Sequence, residues 1–232
     1  MNIDNLNMKM DMAGYEASDR MNFIRKVYSI LATQLSITSL FIVWVQTSDD
    51  MRQFMMKNNG LAILASLMAI VFACAIICCF GRQAPINMIL LFAFTVCESY
   101  SVAGLTAFYK PKITMMAGAT TALATISLTI YAFKTKTNIE VFYAMAFVVY
   151  VAMLPLIIIS LFVGLGALYT LYCCLGLLLY SLYLIIDTMM IVGGKPVSGK
   201  GCSMDDYVIG AMMLYLDIIM MFIYILQLFG KD

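Results

Sequence analysis

Residues Val208–Phe229 read VIGAMMLYLDIIMMFIYILQLF, an apolar run interrupted by one carboxylate, Asp217. The run Leu177–Val192 (LLLYSLYLIIDTMMIV) carries Asp187 in the same way. The first run is long enough to cross a bilayer as a helix, which takes about 20 residues, and the second approaches that length. A carboxylate at the centre of such a helix costs about 2.5–3.5 kcal/mol. Two intramembrane carboxylates therefore indicate a functional role, such as an ion pathway, a proton relay or a buried switch.

The whole chain has the composition of a polytopic membrane protein. It has 232 residues, of which 63% are hydrophobic and 12% charged, about half the charged share of a typical soluble domain. Apolar segments of membrane-spanning length predict an all-α fold, a bundle of seven transmembrane helices. Residues 1–20 form a polar tail that precedes a single transmembrane domain over residues 21–232. The predicted segments lie at about 24–45, 61–80, 86–108, 113–133, 141–163, 166–192 and 207–229.

Composition also removes several classes of function. The net charge of +1 gives no reason to expect a nucleic-acid partner. The chain contains no histidine, which excludes a Ser-His triad and the commonest zinc ligand. Its seven cysteines match no zinc or thioredoxin spacing, so no cofactor is expected. The acid pair superficially resembles that of an intramembrane aspartyl protease, but no GxGD motif accompanies it, and we predict no enzymatic activity.

Lysine and arginine counts predict the orientation of the chain in the membrane. With the N-terminus in the cytosol, nine basic residues lie on the cytosolic side and five on the other, which favours this orientation. The cytosolic set is Lys9, Arg20, Arg25, Lys26, Arg82, Lys134, Lys136, Lys195 and Lys200, and the opposite set is Arg52, Lys57, Lys110, Lys112 and Lys231.

Asp187 and Asp217 lie at depths that allow them to meet. At 1.5 Å per residue they sit about 8 Å and about 15 Å from the same membrane side, on helices joined by one loop. Two carboxylates 4 Å apart repel by about 4 kcal/mol at an effective dielectric of 20, so a shared proton is expected. Such a pair senses pH without histidine, or serves only to fix helix register. Tyr180, Tyr183 and Tyr224 share the faces of these acids and can donate to them.

Further polar residues lie in or beside the apolar segments. Glu98 is a third intramembrane acid, a candidate for the pathway or its support. Arg82 is either a simple topology charge or a latch that pairs with Asp187. The fourth segment carries a polar stripe that fits either close helix packing or the wall of a wet cavity, formed by Thr114, Gly118, Thr121, Thr125 and Thr129.

Four segments carry a resemblance to a known family. They are Arg20–Leu35 (RMNFIRKVYSILATQL), Thr95–Gly104 (TVCESYSVAG), Ser181–Ile191 (SLYLIIDTMMI) and Tyr207–Gly230 (YVIGAMMLYLDIIMMFIYILQLFG). The last is the most specific, with its LYLDII core and LQL ending. At these residues the chain resembles the Bax inhibitor/lifeguard family of membrane proteins, and its Golgi anti-apoptotic branch in particular.

The resemblance implies a seven-helix bundle with the seventh helix at its centre. It also implies a pH-sensitive calcium leak in the membrane of the Golgi or endoplasmic reticulum, with a role in cell death. Asp187 and Asp217 match the family's sensing pair and would contact Ca²⁺ transiently, as a permeant ion and not a cofactor. Arg82 lies about one residue from the family's arginine. The Gly193–Asp206 loop is several residues longer than usual and would change the gating.

A non-conducting interaction protein is the alternative. The chain contains 21 methionines, whose adaptable side chains suit packing against partner helices. In this alternative the partners are membrane proteins and lipid, and no calcium flux is expected.

Overall fold

The computed structural model describes residues 3–163, 168–193 and 206–230, without the side chains of residues 3–17 and 160–163. Every regular element in these ranges is a helix. They are α1 (Ile3–Thr47), α2 (Asp49–Lys57), α3 (Asn59–Ala75), which continues as a π-helical turn over Ile76–Phe80, α4 (Ile86–Thr106), α5 (Pro111–Lys134), α6 (Ile139–Val163), α7 (Leu168–Gly193) and α8 (Tyr207–Phe229).

Seven of these helices, all except α2, are long and apolar enough to cross a membrane. This confirms the predicted all-α fold. The first membrane-spanning stretch begins at Ser18, within α1. The residues before it, from Ile3, belong to the same helix. The break between the fifth and sixth predicted segments, at about residues 164–166, and nearly all of the Gly193–Asp206 loop lie outside the described residues.

The stretch between the first two predicted segments, residues 46–60, is interpreted from its sequence as a polar loop, and the structure corrects this, because nine of its residues form α2. The hydroxyl of Ser48 accepts a hydrogen bond from the backbone N–H of Met51 at 3.4 Å. Asp49 and Asp50 lie in the first turn and Lys57 in the last. This charge order matches the helix dipole, so local signals suffice to start and end the helix.

Helix α8 lies at the centre of the bundle, as predicted. It packs against α1, α4, α5 and α7, whereas α3 packs chiefly on α4 and α6 on α7. Leu214, Met221 and Leu226 of α8 are fully buried. Apolar residues on outer faces are exposed instead, as Leu40 of α1 and Leu123 of α5 show. A bundle with a buried central helix and an apolar outside is suited to lipid as its solvent.

Helices α7 and α8 run antiparallel and approach closely along their length. Ile191 packs beside Gly210 at one end, and Gly176 lies under the ring of Tyr224 toward the other. Glycine allows such approaches because it has no side chain. As residue numbers rise along α7 they fall along α8, and this register puts Asp187 level with Asp217.

The central position of α8 predicts how its core residues respond to truncation. Leu214→Ala should lower the free energy of unfolding by about 2–5 kcal/mol, because it leaves a cavity around a fully buried side chain. Leu123→Ala is the matched control, since this leucine is 69% exposed on α5. Thermal unfolding in detergent measures both. Equal losses would contradict the central placement of α8.

Candidate functional site

Asp187 of α7 and Asp217 of α8 meet inside the bundle. The two residues are 7% and 6% exposed, and their carboxyl groups are close enough to interact with each other. An ionised carboxylate can only accept hydrogen bonds, so a bond between two carboxyl groups needs a proton on one of them. A hydrogen bond between these two groups would therefore require one carboxylic acid and one carboxylate.

Within the described ranges, nothing else neutralises this pair. No described group donates a hydrogen bond to the buried Oδ2 of Asp217. No lysine or arginine forms an ion pair with either acid in this part of the chain, and no third acid, histidine or cysteine joins them in a cluster able to hold a metal. Because two bare carboxylates at about 4 Å would repel by about 4 kcal/mol at a dielectric of 20, the shared proton is the least costly arrangement.

A cavity of about 450 Å³ adjoins the two carboxyl groups, between α6, α7 and α8. Its polar lining consists of the two acids and the phenols of Tyr143, Tyr180 and Tyr183. The rest is apolar or thioether, from Ile186, Met190, Met213, Leu216 and Met220. The oxygen atoms in this lining are of the type that Ca²⁺ takes as ligands.

Tyr143 is a cavity residue that the sequence analysis missed. It belongs to α6, and its hydroxyl hydrogen-bonds the sulfur of Met190 on α7 at 3.3 Å. It also lies close enough to Asp187 to interact electrostatically. No motif marks this tyrosine, because its place depends on how α6 packs against α7.

The three tyrosines predicted from the sequence lie at different distances from the acids. Tyr180 and Tyr183 line the cavity and interact electrostatically with Asp217. Tyr224 lies farther along α8, and its ring contacts that of Tyr180 at 5.9 Å between centroids. The structure thus places Tyr180 and Tyr183 at the cavity, whereas Tyr224 does not line the cavity and contacts the ring of Tyr180.

Arg82 pairs with Asp206, not with the predicted Asp187. The guanidinium forms a bidentate ion pair, with Nε 2.8 Å from Oδ1 and Nη2 2.9 Å from Oδ2. Asp206 precedes α8 and is 3% exposed at its side chain. The neighbouring Gly81 packs against Ile209 so closely that an added Cβ would clash. This contact holds Arg82 at the start of α8, whereas Asp187 lies deeper in α7.

Glu98 belongs to a separate polar cluster on the other side of α8. It is half-buried on α4 and interacts electrostatically with Tyr215, whose hydroxyl lies 2.8 Å from Oγ1 of Thr38. The same Oγ1 lies 2.8 Å from the hydroxyl of Ser99. Tyr215 and Asp217 are two residues apart on one helix, so they point to nearly opposite faces. The structure therefore does not bring Glu98 to the aspartate pair.

The far end of the bundle is tied by another arginine. Arg52 of α2 donates to the carbonyl of Ala107 at 2.9 Å and to that of Tyr109 at 3.0 Å. A cation at the end of α4 also complements its helix dipole. The ring of Tyr109 packs against Gly230. Burial, with a smaller contribution from Cys173, raises the pKa of the Tyr109 phenol, so this group is neutral at physiological pH.

Comparison with known proteins places this architecture in a family. The family model described as Inhibitor of apoptosis-promoting Bax1 matches residues 20–232. The chain belongs to the Bax inhibitor family. This confirms the resemblance carried by the four segments, and the matched residues include Arg82, Asp187 and Asp217.

Individual Bax inhibitor relatives align over most of the chain. Protein lifeguard 3 of Homo sapiens is 32% identical over 217 residues, which cover 91% of this chain and 69% of the human protein. Protein lifeguard 3 of Mus musculus is 29% identical over 218 residues, with 91% and 70% covered. The Golgi anti-apoptotic protein of Vaccinia virus (strain Lister) is 28% identical over 225 residues, with 97% and 92% covered.

The ion pair predicts a measurable coupling in this Bax inhibitor family member. Arg82→Gln should destabilise the fold more than Asp206→Asn, because it leaves a buried carboxylate without its guanidinium. In a double-mutant cycle the two losses should be non-additive by about 0.5–3 kcal/mol. Thermal unfolding of the four proteins gives this value, with exposed Arg25→Gln as the control. Additive losses would mean that the pair contributes no coupling.

Proposed function

We propose that this protein is a pH-sensitive Ca²⁺ leak in the membrane of an internal store, held closed by the proton that Asp187 and Asp217 share. The observation that supports the proposal is the pair of buried acids beside a cavity of about 450 Å³ between three membrane-spanning helices. Intramembrane acids usually mark substrate or ion pathways.

The shared proton favours the closed state in two ways. It forms the hydrogen bond that joins α7 to α8 at the level of the cavity. It also removes one of two negative charges from a site with little water, so a divalent cation has less reason to enter. Both effects depend on the same proton and are lost together.

Loss of the proton opens the path. The hydrogen bond is then replaced by a repulsion of about 4 kcal/mol, at 4 Å and an effective dielectric of 20, which pushes α7 away from α8. The two carboxylates together offer a cation up to four oxygens, fewer than the six to eight that Ca²⁺ takes in tight sites. Weak binding suits conduction, because the ion must leave as readily as it enters.

Arg82 acts in this proposal as a latch at the cytosolic mouth, through Asp206. Its ion pair ties the turn after α3 to the start of α8. With the N-terminus in the cytosol, as the charge distribution favours, this tie lies on the cytosolic side and the one made by Arg52 lies on the side of the store.

The names of the relatives suggest where the leak acts. One relative is named a Golgi anti-apoptotic protein, and the family description refers to inhibition of apoptosis-promoting Bax. We therefore assign this chain to the Golgi or endoplasmic reticulum. A slow leak there lowers stored calcium, which reduces the calcium available to promote cell death.

Calcium flux in proteoliposomes tests the leak and its gate. Wild-type protein should carry little flux at mildly acidic pH, and the flux should rise as the pH increases and the shared proton leaves. Asp187→Asn and Asp217→Asn should keep a hydrogen bond, since an amide can donate to the remaining carboxylate, but should lose the rise with pH. Glu140→Gln is the control, because this acid is exposed at the start of α6.

Two outcomes would count against the proposal. An unchanged pH response in both asparagine variants would remove the acid pair from gating. Absence of flux from wild-type protein at every pH would contradict the leak itself and favour the non-conducting interaction protein.

A further inference from the structure

Three tyrosines of α7 and one of α8 form a continuous file of rings. The ring of Tyr183 contacts that of Tyr180, Tyr180 contacts Tyr224, and Tyr224 contacts Tyr172. Each pair of ring centroids is 5.9 Å apart. Aromatic rings at 4.5–7 Å are in packing contact, so the file has no gap between its members.

One end of the file is the aspartate cavity. Tyr180 and Tyr183 line the cavity together with the two aspartates, so the file begins there. From there the rings follow falling residue numbers on α7 and rising ones on α8, away from the Arg82–Asp206 ion pair. The file therefore runs along α7, with Tyr224 of α8 in contact with it, from the acid pair toward the opposite end of the bundle.

Glycine fixes the position of the ring at the centre of the file. A Cβ added at Gly176 would overlap three ring atoms of Tyr224. Gly176 is buried and Tyr224 is 6% exposed, so the hydroxyl end of the ring packs directly against the backbone of α7. The hydroxyl of Tyr224 donates to that of Tyr172 at 3.4 Å, which is long for a hydroxyl pair. The packing of the Tyr224 ring against Gly176 therefore contributes more to this contact than the long hydrogen bond does.

The other end of the file is anchored. Cys173, next to Tyr172, donates through sulfur to the side-chain oxygen of Gln227 at 3.5 Å. Beyond it, the ring of Tyr109 covers Gly230 at the end of α8, and Arg52 holds the carbonyl of Tyr109. Tyr224 is the one ring of the four that belongs to α8, so a separation of α7 from α8 carries this ring away from the other three.

We propose that the rings of Tyr172, Tyr224, Tyr180 and Tyr183 are the barrier that closes the ion path between the acid pair and the store, with Tyr224 as its movable member. This inference rests on the leak proposed above and specifies how that leak is closed on the side away from Arg82. A packed aromatic constriction excludes water and hence a hydrated cation.

The same geometry links the barrier to the acid pair. Tyr224 lies seven residues, two helical turns, from Asp217 on the same face of α8. Separation of the carboxylates moves this face of α8 away from α7 and lifts the Tyr224 ring off Gly176. The barrier and the pair then open in one movement.

Calcium flux at the acidic pH where wild-type protein is closed tests the barrier. Tyr224→Ala should raise this flux by about tenfold or more, the factor given by a loss of about 1.4 kcal/mol in barrier height. Gly176→Ala, which displaces the same ring without removing it, should raise the flux in the same direction. Tyr224→Phe restores the ring and should restore the closed state. Tyr131→Ala is the control, since its ring is 47% exposed on α5.

The outcomes separate this inference from the leak itself. If Tyr224→Ala and Gly176→Ala fold, as judged by thermal unfolding, and stay closed at acidic pH while wild-type protein opens at alkaline pH, the barrier is wrong and the leak stands. If wild-type protein and both variants carry no flux at any pH, the leak itself is contradicted. If neither variant folds, Tyr172→Ala at the half-exposed end of the file decides, because an unchanged flux there also overturns the barrier.

Discussion

Two carboxyl groups that meet where water is scarce must be neutralised by something nearby, and for this bundle we propose a proton shared between them. Asp187 and Asp217 are more than nine-tenths buried, and no lysine or arginine in the described ranges pairs with them. The proton makes a hydrogen bond where two charges would otherwise repel. The α7–α8 packing at this level therefore depends on protonation, a variable that the surrounding solution can change.

The central position of α8 determines which parts of the bundle a change in protonation of the acid pair can affect. Asp217 and Tyr215 lie on opposite faces of α8, so the acid pair and the cluster around Glu98 are separated by the helix itself. One end of the bundle is tied by Arg82 and the other by Arg52. The movement proposed for the acid pair would thus be confined to the stretch between these two contacts, where the tyrosine rings lie.

Much of the fold was predictable, because long apolar runs allow few structures other than spanning helices. The pairing of Asp187 with Asp217 was also expected, since it follows from depth along two neighbouring helices. The partner of Arg82 was not, because it depends on the approach of Gly81 to Ile209, a contact between residues far apart in the chain. The position of Tyr143 in the cavity and the contact of the Tyr224 ring with Gly176 were missed for the same reason. The fit between side chains on different helices has no periodic signature in the sequence.

The central claim is that one proton is shared by the pair, and infrared difference spectroscopy in lipid tests it most directly. Spectra recorded while the pH is raised should show a protonated carboxyl band that disappears as the proton leaves. The band should shift or vanish in Asp187→Asn and Asp217→Asn and persist in Glu98→Gln, which separates the pair from the third intramembrane acid. A spectrum in which no protonated carboxyl depends on either aspartate would contradict the account.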